Sequence, residues 1–238
     1  MLNKIYFIIG IFYIFFFQPF ITKKVDIQTS KEFLNYFTSN NNDDSLTLII
    51  KNNINIDSSN QIRISNNISK LKIEGKTKDE TFLDFSNIKE GVLFTNSIIE
   101  IEFSNINISG HIFFDNNKNV TFINSNYNGS IEYLTEEEKY GSFILKEFSY
   151  KALANNNLNC ISVTNGNMTI DHSYLYGHKS CTNRLVNYNG GYQNKVEINE
   201  SLISGENTNS LFNIDKAYVV STNSLFTNFL SFNQPGLV

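Results

Sequence analysis

Arginine is almost missing from this chain: Arg63 and Arg184 are the only two, and the net charge is −4. That balance argues against nucleic acid and anionic membrane surfaces as main partners, since both need a dense array of cations. Tryptophan is absent, and proline occurs only as Pro19 and Pro235. A body free of proline keeps nearly every backbone N–H available for strand pairing. The three histidines (His111, His172, His178) and two cysteines lack zinc-ligand spacing. Asp43-Asp44 and Asp79-Glu80 carry no calcium-loop pattern. Asn189-Gly190-Gly191 lacks the spacing and the following Lys-Ser/Thr of a phosphate loop, and no nucleophile elbow is present. No cofactor or metal is therefore expected.

What is abundant is asparagine, 38 of 238 residues, and phenylalanine, 21. Such a bias also arises from a very AT-rich coding sequence, so asparagine content alone is no sign of low complexity. A hydrophobic fraction of 41% and a charged fraction of 18% fit a folded body.

Lys4 precedes an unbroken apolar run from Ile5 to Phe17. Thirteen residues match a signal-peptide core, whereas a membrane span needs about 20. Residues 1–22 are read as a signal peptide, with an uncleaved signal-anchor as the alternative, so membrane association is expected only if the segment is retained. No later stretch is long or apolar enough to span. The chain is thus expected in the secretory pathway, secreted or at the cell surface. Six N-x-S/T sequons, at Asn67, Asn107, Asn119, Asn128, Asn167 and Asn199, are glycosylation candidates. The composition alone predicts about six, so their number carries no weight.

Self-comparison gives the architecture. Ile101-Glu-Phe103-Ser-Asn-Ile106-Asn-Ile108-Ser-Gly110 aligns with copies beginning at Val120, Met168, Val196 and, degenerately, Tyr218. The starts are separated by 19, 48, 28 and 22 residues, the 48 reading as two coils of about 24. Further short apolar segments precede the copies: Val92–Phe94, Ile112–Phe114, Ile161–Val163 and Leu211-Phe212. Strands of three to five residues with period-2 alternation, bounded by Asn, Gly and Ser, fit neither helices nor long hairpins. Coils of this length predict a parallel β-helix, in which stacking buries an apolar column that no coil can bury alone. Cys160 and Cys181, 21 residues or about one coil apart, are placed to bridge stacked turns. Two free core thiols are the alternative.

Thr29-Ser30-Lys31-Glu32 is a capping box opening a short helix with Phe33, Leu34 and Phe37 on one face. Residues 23–45 are read as a cap region and 46–238 as β-helix, with Leu46–Ile50 as the first strand. A loop excursion is expected near 131–159, where Leu134–Tyr140 and Lys146–Ala154 are helix-prone, with one weak strand at Phe143–Leu145. No comparable cap is visible after the last copy, which implies a truncated product or a coil that pairs with something else.

On these repeats, over about residues 46–227, the chain resembles the right-handed parallel β-helix superfamily called pectin-lyase-like. That resemblance implies right-handed coils and admits polysaccharide lyases, hydrolases, esterases and non-catalytic surface proteins, so fold cannot choose the function. A lyase-like site would need an Arg or Lys base and Ca²⁺-holding acids, and neither arginine sits in an aligned strand. A hydrolase-like site needs two carboxylates at a defined separation. Outward columns of Glu102, Thr121, Thr169, Glu197, Val219 and of Ser104, Ile123, Asp171, Asn199, Ser221 would make Asp171 and Glu197 diagonal neighbours at roughly 8 Å. Gly177-His178-Lys179 departs from the Gly-His-Gly of that signature, and no Asp-Asp pair lies on an aligned strand. The expected function is a non-catalytic, secreted or surface glycoprotein acting in recognition, adhesion or structure. Its partner would be carbohydrate or another surface protein. The alternative is a carbohydrate-active enzyme using Asp171 and Glu197.

Overall fold

Every strand pair among the described residues is parallel, and the order of the strands follows the coil, not the hairpin. The computed structural model describes residues 22–38, 44–65, 68–136, 141–152, 160–181 and 184–229. The chain is a parallel β-helix with three strand faces. Face 1 stacks Lys23–Ile27, Ser45–Ile50, Ile68–Glu74, Ile98–Ser104, Asn119–Ile123, Ser142–Lys146, Asn167–Asp171, Lys195–Asn199 and Tyr218–Thr222. Face 2 runs through Ile54–Asn55, Phe82–Asp84, Ser149–Lys151, Tyr174–Tyr176, Leu202–Ser204 and Leu225–Thr227. Face 3 runs through Ile62–Ile64, Val92–Phe94, Ile161–Thr164, Arg184–Asn189 and Ser210–Asp215. Two long strands, Asn107–Asp115 and Asn126–Leu134, cross from face 2 to face 3 without a break.

The alternation in sequence explains the filling of the interior. Along Asn119–Ile123, Val120 and Phe122 are fully buried between partly exposed neighbours. In register they meet Ile101 and Phe103 on one side and Phe143 and Leu145 on the other. Like side chains therefore stack: the Phe103 and Phe122 rings lie parallel at 4.9 Å, and Phe94 and Phe114 at 5.4 Å.

From the strand Ile98–Ser104 onward, the face 1 to face 2 bend is made by one residue in the left-handed conformation: Asn105, Asn124, Glu147, His172, Glu200 and Asn223. Asn tolerates this backbone, which explains its recurrence there. Asn124 Nδ2 also donates to Asn105 Oδ1 at 2.8 Å, linking successive coils. The next residue turns inward. Ser173 and Ser201 occupy it in adjacent coils, where the Ser173 N–H donates to Ser201 Oγ at 3.0 Å. Phe148 N–H in turn donates to Ser173 Oγ at 3.1 Å.

At the N-terminal end, the helix Ser30–Thr38 (α1) takes the place of a face 2 strand in the first coil. Its capping box is formed: Glu32 N–H donates to Thr29 Oγ1 at 3.2 Å, while Glu32 Oε2 accepts from Gln28 and Thr29 N–H. Phe33 is fully buried and its ring lies 6.1 Å from Phe85.

Three expectations change. The first strand of the stack is Lys23–Ile27, ahead of the helix, paired in register with Leu46–Ile50. Four exposed or half-buried residues precede its one buried position, Ile27, so hydrophobic alternation gives it no signal. The expected excursion holds two ordinary strands, Ser142–Lys146 and Ser149–Lys151, where helix-prone composition yields to burial of Phe143, Leu145, Phe148 and Tyr150. These form the sixth coil and account for the 48-residue interval. Thirdly, the last copy is shifted by one: Val196 pairs Val219 and Ile198 pairs Ser221, so Val220 and Thr222 continue the outward columns. Asn223, taking up the left-handed bend, sets that register. Residues 1–21, which include the apolar run, lie outside the described residues, as does Asn67. Among the described residues no helix is long and apolar enough to cross a membrane.

Candidate functional site

The lengths of the turns between faces 2 and 3 shape the outer surface. Where the long strands cross directly, the bend is a glycine, Gly110 or Gly129, both at positive φ. In the seventh and eighth coils longer turns follow Tyr176 and Ser204 instead. Their residues Gly177, His178, Lys179, Glu206 and Thr208 stand as a wall beside the open part of face 2. The result is a groove of about 680 Å³. Its floor is the outward row of successive face 2 strands: Asn126, Asn128, Ser149, Lys151 and Tyr176, with Asn107 at one end.

The register makes this floor a ladder. Asn128 pairs Lys151, which pairs Tyr176, so the three side chains belong to one outward column. The charge on the groove is set by Lys151, Lys179 and Glu206. Neither lysine has a carboxylate partner among the described residues, whereas Glu206 Oε1 accepts from Ser204 Oγ at 2.7 Å. His178 Nδ1 accepts the Ser180 N–H at 3.2 Å and lies 2.9 Å from Ser180 Oγ. That pattern places the proton of the neutral ring on Nε2. The groove thus offers amides, hydroxyls, one phenol ring and two lysine amines, a set suited to a hydroxyl-rich ligand.

Beneath the bend lie buried tyrosines. Tyr127 OH donates towards Gly110 O and Ser130 O, both at 2.9 Å, and Tyr150 OH donates to Gly129 O at 2.6 Å. Burial holds both phenols well above their ordinary pKa. On the far side of the bend, His111 Nδ1 meets Ser130 Oγ at 2.5 Å, both groups buried. Burial also raises the carboxyl of Glu132, two residues further along.

Asp171 and Glu197 lie elsewhere, on the outward surface of face 1. Asp171 pairs Asn199 and Thr169 pairs Glu197, so the carboxylates are diagonal on adjacent strands. Each is occupied: Asp171 Oδ1 lies 3.1 Å from His172 Nδ1, and Glu197 is held by Lys195. His172 Nε2 reaches Glu200 Oε2 at 2.8 Å. Neither Asp171 nor Glu197 lines the face 2 groove. A second concavity, of about 720 Å³, at the other end of face 1 holds a ladder in which Lys72 binds Glu102 at 3.1 Å and Glu74 at 3.5 Å. Burial pulls the Lys72 amine down, but the two carboxylates outweigh it and its pKa is raised. Among the described residues no group of three His, Cys, Asp or Glu side chains is arranged to hold a metal ion.

Cys160 and Cys181 form a disulfide with Cα atoms 5.3 Å apart, tying the sixth coil to the seventh. The sequons divide between faces: Asn119, Asn167 and Asn199 on face 1, Asn107 and Asn128 in the groove. The groove residues Lys151, Tyr176 and Lys179 escape sequence reasoning, because outward positions carry no periodic signal and Lys151 falls in the helix-prone stretch. No family model matches the chain, and no curated protein matches it either.

Proposed function

We propose that this chain is a secreted or cell-surface glycoprotein of the pectin-lyase-like kind that works as a recognition scaffold rather than a catalyst. The observation that carries the reading is the face 2 groove, with its amide and hydroxyl floor, the Tyr176 ring and two lysines that have no carboxylate partner among the described residues. Such a surface suits carbohydrate, whose hydroxyls need paired donors and acceptors and whose ring faces pack on aromatic side chains. A surface protein bearing sugars would meet the same groups. A carrier role for nucleic acid is disfavoured by the charge, and membrane attachment would come only through the N-terminal apolar segment.

The second reading, a glycoside-cleaving enzyme using Asp171 and Glu197, draws on their diagonal placement on one face. Against it, a hydrolase needs both carboxylates turned towards one bound sugar, and here each is engaged by a neighbouring base. A glycan-array screen on the secreted chain, with reducing-sugar release measured on the same panel, separates the two. Binding without release is the expected outcome. Release that vanishes in Asp171→Asn and Glu197→Gln would replace the scaffold reading with the enzymatic one.

A further inference from the structure

The structure separates sequons that the sequence leaves equivalent. An N-linked sugar bonds to the Nδ2 of asparagine, and the whole side-chain amide must turn outward to carry it, so neither of its polar atoms can be tied down or enclosed. Asn119 has both ends engaged: its Nδ2 donates to Glu100 at 3.1 Å and its Oδ1 accepts from Ser142 at 2.8 Å. Asn167 Oδ1 accepts the Lys195 N–H at 2.8 Å. The Oδ1 of Asn107 is enclosed without a partner. Asn128 differs. Its amide makes no hydrogen bond among the described residues, and it stands outward between buried Tyr127 and the Gly129 bend. Asn199 is likewise unengaged, but it lies on face 1, outside the groove.

We infer that Asn128 carries an N-linked glycan whose first sugars lie in the groove and close it. This rests on the proposed passage through the secretory pathway. The column Asn128, Lys151, Tyr176 spans two strand spacings, about 10 Å. A two-sugar core attached at Asn128 covers that span, running over the Lys151 stem to the Tyr176 ring. The methylene stem and the ring supply apolar contact, while Asn126 and Ser149 present polar atoms along the same floor. At about 680 Å³ the groove is within the size range of small-ligand sites.

Tethering decides the competition. A group held on a short flexible link has an effective concentration of the order of millimolar. The attached sugar therefore outcompetes a free saccharide that binds no better than it does, as long as the free one stays below that concentration. Occupancy of Asn128 sets whether the groove is open to other ligands.

The test expresses the full chain in a glycosylating secretory host. Peptide mapping reads occupancy at each sequon, and amine acetylation reads the exposure of Lys151 in the wild type and in Asn128→Gln. The expected result is sugar at Asn128, with Lys151 acetylated several-fold more slowly than in Asn128→Gln and Lys146, on face 1, unchanged. Tyr176→Ala should speed enzymatic release of the Asn128 glycan from the native protein. Sugar at Asn199 with Asn128 bare, or equal Lys151 labelling in both proteins, overturns this inference alone. Sugar at no sequon overturns the glycoprotein part of the proposed function along with it.

Discussion

A β-carbon placed on Gly129 would lie 1.8 Å from the carbonyl oxygen of Gly110. The two glycines are register partners at the point where adjacent strands bend from face 2 to face 3, with φ of 146° and 115°. Backbone meets backbone there, so no side-chain movement can relieve the contact, and the conformation itself is disfavoured for other residues. Gly129→Ala should cost about 4 kcal/mol or more, at the extreme of single substitutions. Urea denaturation gives the value; a loss below about 1 kcal/mol would mean that the bend is built differently.

The tyrosines under that bend predict an alkaline limit. Burial raises the pKa of Tyr127 and Tyr150, and that of Tyr188 to about 12. Unfolded tyrosine ionises near 10. Above that pH the unfolded chain releases protons that the folded chain retains, so stability is fully present below about pH 10 and falls as pH rises. Melting temperature should be insensitive to these groups between pH 7 and 9 and drop beyond. Tyr150→Phe should weaken the alkaline loss and cost about 1–3 kcal/mol at pH 7, because the Gly129 carbonyl loses its donor.

Glu147 holds a left-handed backbone, φ 52°, in the column that Asn105, Asn124 and Asn223 share. A glutamate there bears a steric cost that asparagine largely escapes. Glu147→Asn should stabilise the fold by about 0.5–1 kcal/mol and place an amide above Asn124. Thermal denaturation of the pair of proteins checks the sign; unchanged or lower stability counts against the ladder.

Opening the Cys160–Cys181 bridge should loosen one joint between coils. The closed loop is 21 residues in sequence separation, for which chain entropy gives about 3 kcal/mol. Replacing both cysteines with serine should lower stability by that order, whereas dithiothreitol should have no effect on the double variant. An unchanged denaturation midpoint would mean that the coils hold without it.

Much of the stack was legible residue by residue. Val120 and Phe122, Met168 and Ile170, Val196 and Ile198 show the apolar-x-apolar signature because each must face the same interior. Asn105 and Asn124 show the bend, since Asn accepts that backbone at low cost, whereas Glu147, His172 and Glu200 hold it without a sequence signal. Ile68–Glu74 carries the same alternation, yet its coil continues through the long turn at Lys76–Thr81, which breaks the spacing that self-comparison needs. Lys23–Ile27 buries one side chain and so leaves almost no hydrophobic trace. The last coil was legible in type and misplaced by one residue, because Tyr218, Val219 and Val220 offer three apolar residues to a two-position pattern.

Sequence by itself determined the coil: which residues point inward, where the chain bends, and that bodies of this kind stack. Burial imposes those choices locally, one coil at a time, so they leave a periodic record. Only the tertiary structure decided the groove. Asn128, Lys151, Tyr176 and Lys179 lie far apart along the chain, and register alone aligns the first three while turn length raises the fourth beside them. Outward side chains answer to solvent and neighbours rather than to the core, so no period marks them until the coils are stacked.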